Sequence, residues 1–278
     1  SDLTTAVNIA SNARINKSYF NKESAAAVLA QVHQVMGNWA DASKYAKIAY
    51  GNNVATALDA TAYRNGFNDM NANKEWLLAS PQSEDQSAYY WTAPFAFIDH
   101  TTTSYYATFV NADFVSKFSN TDVRNIFVAS STITNPADFR RYTTRKFKFN
   151  FGSDVPLIRT AEMILIDAEA LARTPGKEAE AHDLLYALQK NRDANAVKST
   201  NTGAALIDEI LLERRKELYA ENGVEWFDAK RLRKGITRTG NHRIFKNLSA
   251  DDKRFFLKVP QSEIDANESI DDTVNKDR

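Results

Sequence analysis

Between Tyr89 and Phe109 the chain places eight aromatic residues in 21 positions: Tyr89, Tyr90, Trp91, Phe95, Phe97, Tyr105, Tyr106 and Phe109. Aromatics make up only 11% of the whole chain, so the rings are concentrated here. Such rings suit recognition without bond-making. Their flat faces pack on the C–H faces of a sugar, while Tyr hydroxyls and Trp N–H groups supply hydrogen bonds. The same rings also suit a core beneath the loops. Tyr89, Trp91, Tyr105 and Tyr106 have polar, loop-like neighbours and are the candidate ligand contacts. Trp76, following Asn71-Ala72-Asn73-Lys74, is a further candidate, whereas Trp39 and Trp226 are assigned to packing.

Catalytic patterns are missing. The sequence holds no Gly-x-Ser-x-Gly, no Gly-x-Gly-x-x-Gly, no phosphate-binding Walker loop and no His-Glu-x-x-His. His33, His100, His182 and His242 are scattered singly, and Asp99-His100 is a close carboxylate–imidazole pair without a nucleophile. Glu84-Asp85 and Asp251-Asp252 sit in polar loops, where solvated surface is their natural setting. The absence of cysteine excludes disulfides, thiolate catalysis and zinc–thiolate sites. These residues form no enzyme, metal or cofactor motif, which leaves open carboxylates that meet only in space and a calcium site built from loops.

A second chemistry-bearing stretch runs from Glu213 to Gly235, where charged side chains crowd large aromatics. On a helix over 204–222, the stripe Ile207, Ile210, Leu211, Arg214 and Leu218 puts a guanidinium where an apolar residue is expected. Glu221 falls on the same face, next to Glu217. A charge on a core-facing stripe must find a partner, because breaking a buried pair costs about 3–5 kcal/mol. The expected partners are Glu217 and Glu221 for Arg214, and Arg231 or Lys230 for Asp228. Asn222-Gly223 should supply a left-handed cap that folds Trp226 and Phe227 back onto the helix. Arg214, Glu217, Glu221, Trp226 and Asp228 therefore read as framework rather than site.

The elements that must hold these groups are mostly helical. Residues 24–50 read as a helical hairpin, with Ala25, Leu29, Val32 and Met36 at the 3.6-residue period, a Gly37-Asn38 turn, and Trp39, Ala42, Tyr45, Ala46 and Ala49 in the second arm. This order looks like a tetratricopeptide repeat, in which small residues let paired helices approach closely. It also suits a plain antiparallel helix pair. After Pro156 a helix through Ile158, Ala161, Ile164, Leu165, Ala168 and Leu171 meets the Thr174-Pro175-Gly176 turn, and a helix over 177–191 completes a second hairpin.

Between them, 51–153 is rich in Asn, Ser, Thr and aromatics, with short strand signals such as Phe147, Phe149 and Phe151 alternating with polar residues. Long loops on a rigid scaffold carry function more often than the scaffold does. The expected fold class is mainly α: tetratricopeptide-like hairpins in an α–α superhelix, with a long loop-rich insertion containing short β-strands. Helical scaffold is expected over 1–50 and 154–235, the insertion over 51–153, and an irregular C-terminal segment over 236–278. Two hairpins and one long helix are few for a repeat array. Partner helices upstream of Ser1, or cover from the middle region, are expected.

The 278 residues carry 35 basic and 35 acidic side chains, a balance that gives no steering toward nucleic acid or an anionic membrane. No apolar run approaches the roughly 18–20 residues that span a bilayer. The chain opens at Ser1-Asp2-Leu3 without a basic and apolar leader.

The Glu213–Gly235 stretch closely resembles the C-terminal signature of the SusD/RagB family. The segment from Pro156 to Ala170 looks like that family's other hallmark helix. Leu257-Lys258-Val259-Pro260-Gln261-Ser262-Glu263-Ile264 is similar to its closing P-x-P-x-x-E-I segment, with Lys258 in place of the first proline. The Arg14-Ile15-Asn16-Lys17 lead also fits. The resemblance covers nearly the whole chain in the family's order and implies a single domain over 1–278, truncated at its N-terminus. It further implies a non-catalytic protein on the extracellular face of the outer membrane, held by a lipid anchor absent from this chain. Such a protein captures oligosaccharide, or in some branches peptide, for a SusC-like TonB-dependent transporter. A peptide-binding scaffold of tetratricopeptide type, using the helix faces around 24–50 and 158–190, is the alternative.

Overall fold

The computed structural model describes residues 2–57, 60–64, 67–83, 85, 94–101 and 105–276. Helix α1 (Asp2–Ile9) leads into α2 (Lys22–Met36) and α3 (Trp39–Ala49). Asn21 starts α2 with a reciprocal cap: its Oδ1 accepts the Ser24 amide at 2.9 Å, and Ser24 Oγ accepts the Asn21 amide at 2.8 Å. Gly37, at φ 72°, ends it in the left-handed conformation that glycine adopts without strain. Ala42, Ala46 and Ala49 on α3 are buried, and their small side chains let α2 and α3 lie close. The Arg173 guanidinium covers the face of Trp39 at 4.7 Å.

The middle region follows with α4 (Ala60–Arg64), β1 (Trp76–Ser80), α5 (Pro94–Ile98), α6 (Ala112–Val115), β2 (Phe127–Ala129), β3 (Tyr142–Thr144) and β4 (Val155–Arg159). Strand β1 pairs antiparallel with β4 through two register irregularities, and β2 pairs antiparallel with β3. An aromatic core of its own fills this region, with Tyr63, Phe67, Trp76, Phe95, Phe147 and Phe149 packed together.

The scaffold resumes with α7 (Thr160–Ala172), α8 (Glu178–Arg192), α9 (Gly203–Leu218) and α10 (Val224–Arg231), and α11 (Gln261–Ala266) lies in the irregular tail. Every residue of α7 is buried, as a helix that is apolar on most sides must be. Helices α2, α3, α8 and α9 pack around it. Its carboxylates are consequently all partnered: Gln31 and Arg214 donate to Glu162, Ser43 and Tyr50 to Asp167, and Gln34 and Arg231 to Glu169.

The architecture matches the expected class, mainly helical with short strands, but three boundaries differ. Residues 155–159 form a strand, and the helix begins only at Thr160, because β1 offers this segment a ladder partner. The Phe147–Phe151 alternation makes no strand among the described residues; Phe147 and Phe149 point inward, yet Lys146 is buried too. Helix α9 stops at Leu218 rather than 222, since Ala220, Asn222 and Gly223 all take positive φ values of 61°, 46° and 68°. None of the described helices is long and apolar enough to cross a membrane.

Candidate functional site

The expected ligand residues fall in different places. Tyr89 and Trp91 lie outside the described residues. Trp76 is 1% exposed in the middle core, stacked on Phe67 at 6.5 Å, and offers no face to a ligand. Strand β1 carries it inward, a placement its polar neighbours in sequence did not signal. Tyr105 is half-buried and stacks on Phe97 at 4.8 Å. Tyr106 is 45% exposed and held at φ 49°, an unusual conformation for a bulky residue.

From Tyr106 a chain of rings crosses the surface. Tyr106 lies 5.3 Å from His100, His100 lies 4.9 Å from Phe109, and Phe109 meets Phe139 edge-on at 5.6 Å. The His100 Nε2 is 2.8 Å from the Thr108 carbonyl, which fixes the ring in this row. The Arg140 and Arg243 guanidiniums lie 5.6 and 5.5 Å from the Phe139 ring. Beside the row opens a groove of about 310 Å³, lined by Thr108, Phe109, Phe139, His242 and Arg243 among others. Its base is stapled across the sequence. Asn241 accepts the Ala112 amide and donates to the Asp138 carbonyl, and Asn111 donates to the Thr239 carbonyl. His242 sits below its ordinary pKa because of partial burial, with Arg238 and Arg215 adding to the shift and Glu225 and Asp113 opposing it.

Asp99 and His100 do not work as a pair. Asp99 is fully buried, accepting from Thr101 and from the Phe149 amide at 2.7 Å, while His100 joins the surface row. His100, Phe139, His242 and Arg243 entered no expectation as ligand contacts. No periodicity or motif links 100, 139 and 242; only the fold juxtaposes them.

The charged stretch forms two buried networks. In the first, Glu217 receives Arg192, Arg159 and Arg124 at 3.0–3.1 Å, Glu221 receives Arg159 at 2.8 Å and Lys146 at 2.5 Å, and Arg159 reaches Glu75 at 2.5 Å. Burial by itself would raise the Glu217 carboxyl, but Arg192, Arg159 and Arg124 outweigh it and hold it well below the usual carboxylate range. Burial pulls the Lys146 ammonium down to about 8, against the opposing pull of Glu221. In the second network Arg214 bonds Glu162 and Asp228, each at 2.9 Å, and Arg231 bonds Asp228 at 2.7 Å and Glu169 at 2.8 Å. Arg214 thus takes its partners from α7 and α10 rather than from Glu217 and Glu221. The left-handed turn at Gly223 starts α10, but Trp226 packs on Phe255 at 4.7 Å, and Phe227 is 59% exposed instead of folded onto α9.

The Arg14 lead is pinned to β1, its guanidinium donating to the Leu77 carbonyl at 2.5 Å, and Lys17 donates to the Asn73 carbonyl. Pro260 precedes α11, whose Ile264 is buried. Each of the four sequence hallmarks is therefore a packing or capping device. Among the described residues no group of three His, Cys, Asp or Glu side chains is placed to hold a metal ion.

The sequence profile of the SusD family matches residues 101–275. No curated protein matches the chain. Among solved structures, the chain is similar to a SusD-like carbohydrate binding protein from Bacteroides vulgatus ATCC 8482, at 23% identity and a TM-score of 0.83, over 99% of this chain and 63% of that one. It is also similar to a SusD superfamily protein from Bacteroides thetaiotaomicron VPI-5482, at 25% identity and a TM-score of 0.82, over 96% of this chain and 63% of that one. The chain therefore spans 63% of the length of each of these relatives. Because the profile spans more than half of the chain, from Thr101 through helices α7 to α10 to the closing segment, the chain belongs to the SusD family.

Proposed function

We propose that the protein captures oligosaccharide, without chemistry on it, on the surface that runs from Tyr106 through His100 and Phe109 to Phe139. The observation that carries this reading is the exposed Tyr106 ring at the head of a continuous row of rings beside a groove. Sugar C–H faces rest on such rings, and the groove rim supplies polar handles. Support for a binding rather than a hydrolytic role comes from the groove itself, whose described lining contains no carboxylate. A glycosidase needs two.

In this reading residues 1–278 act as one unit. The scaffold of 1–50 and 154–235 carries the loop-rich 51–153 region, and 236–278 closes the groove through His242 and Arg243. Membership of the SusD family supports a lipid-anchored location on the extracellular face of the outer membrane, where the captured glycan passes to a SusC-like TonB-dependent transporter. A solved relative described as a carbohydrate binding protein supports the ligand class.

The peptide-scaffold alternative draws on a different feature. Helix α7 is enclosed, so the helix face around 158–172 is closed to a peptide. A groove of about 420 Å³ edged by Val35, Leu157 and Phe227 is what remains for that reading. Affinity electrophoresis of the purified protein against a polysaccharide panel separates the two. Retardation by at least one glycan, reduced in Tyr106→Ala and unchanged in Phe227→Ala, is the expected result. Retardation insensitive to Tyr106→Ala would move the site elsewhere, and release of reducing ends from any polysaccharide would overturn the non-catalytic reading.

A further inference from the structure

The groove beside Phe139 is not electrically neutral. Arg140 is satisfied, donating to both oxygens of Asp138 at 3.0 and 2.7 Å. Arg215 is likewise paired with Glu225 at 2.9 Å. Arg243, exposed on the groove wall and 5.5 Å from the Phe139 ring, forms no ion pair among the described residues. Arg238 spends one guanidinium nitrogen on the Ile244 carbonyl and forms no ion pair among the described residues. Asp113 forms no ion pair among the described residues, and its carboxylate packs under Gly240 beside Asn111. A spare guanidinium at the end of a row of rings is the arrangement that holds an anion attached to a flat apolar body.

We propose that this groove selects oligosaccharides bearing an anionic group, a uronate carboxylate or a sulfate ester, with the sugar resting on the Tyr106–Phe109 rings and the anion paired with Arg243. The proposal rests on the glycan-binding reading above and narrows its ligand class. A carboxylate takes two parallel N–H bonds from the guanidinium fork, and a sulfate ester presents the same spacing of oxygens. Pairing at a half-open groove is modest and screened by salt.

The test is titration calorimetry of the purified protein with three probes of equal length: an oligogalacturonate, a sulfated galactan oligosaccharide and a neutral malto-oligosaccharide, in dilute and in concentrated sodium chloride. At low salt one or both anionic probes are expected to bind about five- to tenfold tighter than the neutral one. That advantage should shrink at high salt and vanish in Arg243→Gln, a change at an exposed side chain that leaves the fold intact by circular dichroism. Preference for the oligogalacturonate alone assigns a carboxylate, and preference for the sulfated probe alone assigns a sulfate. Equal affinity for neutral and anionic probes, or an advantage that survives Arg243→Gln, overturns the proposal and leaves the glycan site standing. Absence of binding by all three probes, in a protein that also binds none of the polysaccharide panel, overturns both.

Discussion

Arg159 and Glu221 meet through two hydrogen bonds of 2.8 Å, Nε to Oε2 and Nη2 to Oε1, although 62 residues separate them. The same guanidinium reaches Glu75 and Glu217. One side chain at the end of β4 thus ties the residue before β1, the end of α9 and the turn after it into a single joint. The joint mounts the loop-rich region on the helical scaffold, and the pairing is fully buried, so each member depends on the others.

Glu217 is where that dependence is greatest, since three guanidiniums converge on it. Replacing it by Gln at pH 7 is expected to cost about 3–5 kcal/mol, because the buried positive charge is then uncompensated. Its carboxyl is held below the ordinary 4.5, so its contribution is fully present above that value and is lost as pH falls through the lower folded value. Urea unfolding of both proteins should show a gap that is constant from pH 7 to 5 and narrows below about 4.5. A gap independent of pH down to acid unfolding would contradict the assignment.

Lys146 behaves in the opposite sense. Burial lowers its ammonium from 10.5 to about 8, so the folded state gives up this proton more readily than the unfolded chain. Stability is therefore held down below pH 8 and rises as pH climbs from about 8 toward 10.5. Across that window the wild-type protein should gain on the order of 2–3 kcal/mol relative to Lys146→Met. Parallel stability curves for the two proteins between pH 8 and 10 would refute this.

Gly235 sits at φ 66°, and a Cβ there would stand 2.3 Å from the Leu248 carbonyl oxygen. That carbonyl accepts the Ile236 amide at 2.9 Å, in the bridge that closes the loop carrying His242 and Arg243. Gly235→Ala combines left-handed strain with a backbone clash, and a loss of about 2 kcal/mol or more in thermal unfolding is expected. Glycan affinity should fall as well, since the groove wall hangs on this bridge. Wild-type affinity in a destabilised Gly235→Ala protein would detach the loop from the site.

Tyr106 separates stability from binding. Its φ of 49° costs a bulky residue about 1 kcal/mol that glycine does not bear. Tyr106→Gly is therefore expected to leave the melting temperature unchanged or raised, while oligosaccharide affinity drops roughly tenfold, about 1.4 kcal/mol. Tyr106→Phe should retain most of the affinity through its ring. A Tyr106→Gly protein that binds glycan as well as the parent would remove this residue from the site.

Much of the scaffold was legible from the sequence, because helical periodicity and caps are local properties of the chain. The 24–50 hairpin, its Gly37 turn and the helical stripe through Ala161 and Leu171 follow from residue spacing of three and four. Arg214 on a core-facing stripe announced the need for a charged partner, and four hallmark segments in order pointed to the family. What spacing does not contain is the pairing of distant groups. Glu217 meets Arg124, Arg159 and Arg192 across 93, 58 and 25 residues. Strand 155–159 exists because β1 lies beside it, and Trp76 is buried because that strand pair turns it inward. The groove at Phe139, His242 and Arg243 belongs to this second class. Its members share no local pattern, and they become neighbours only when the buried charges and the packing around α7 fix the loops in one arrangement.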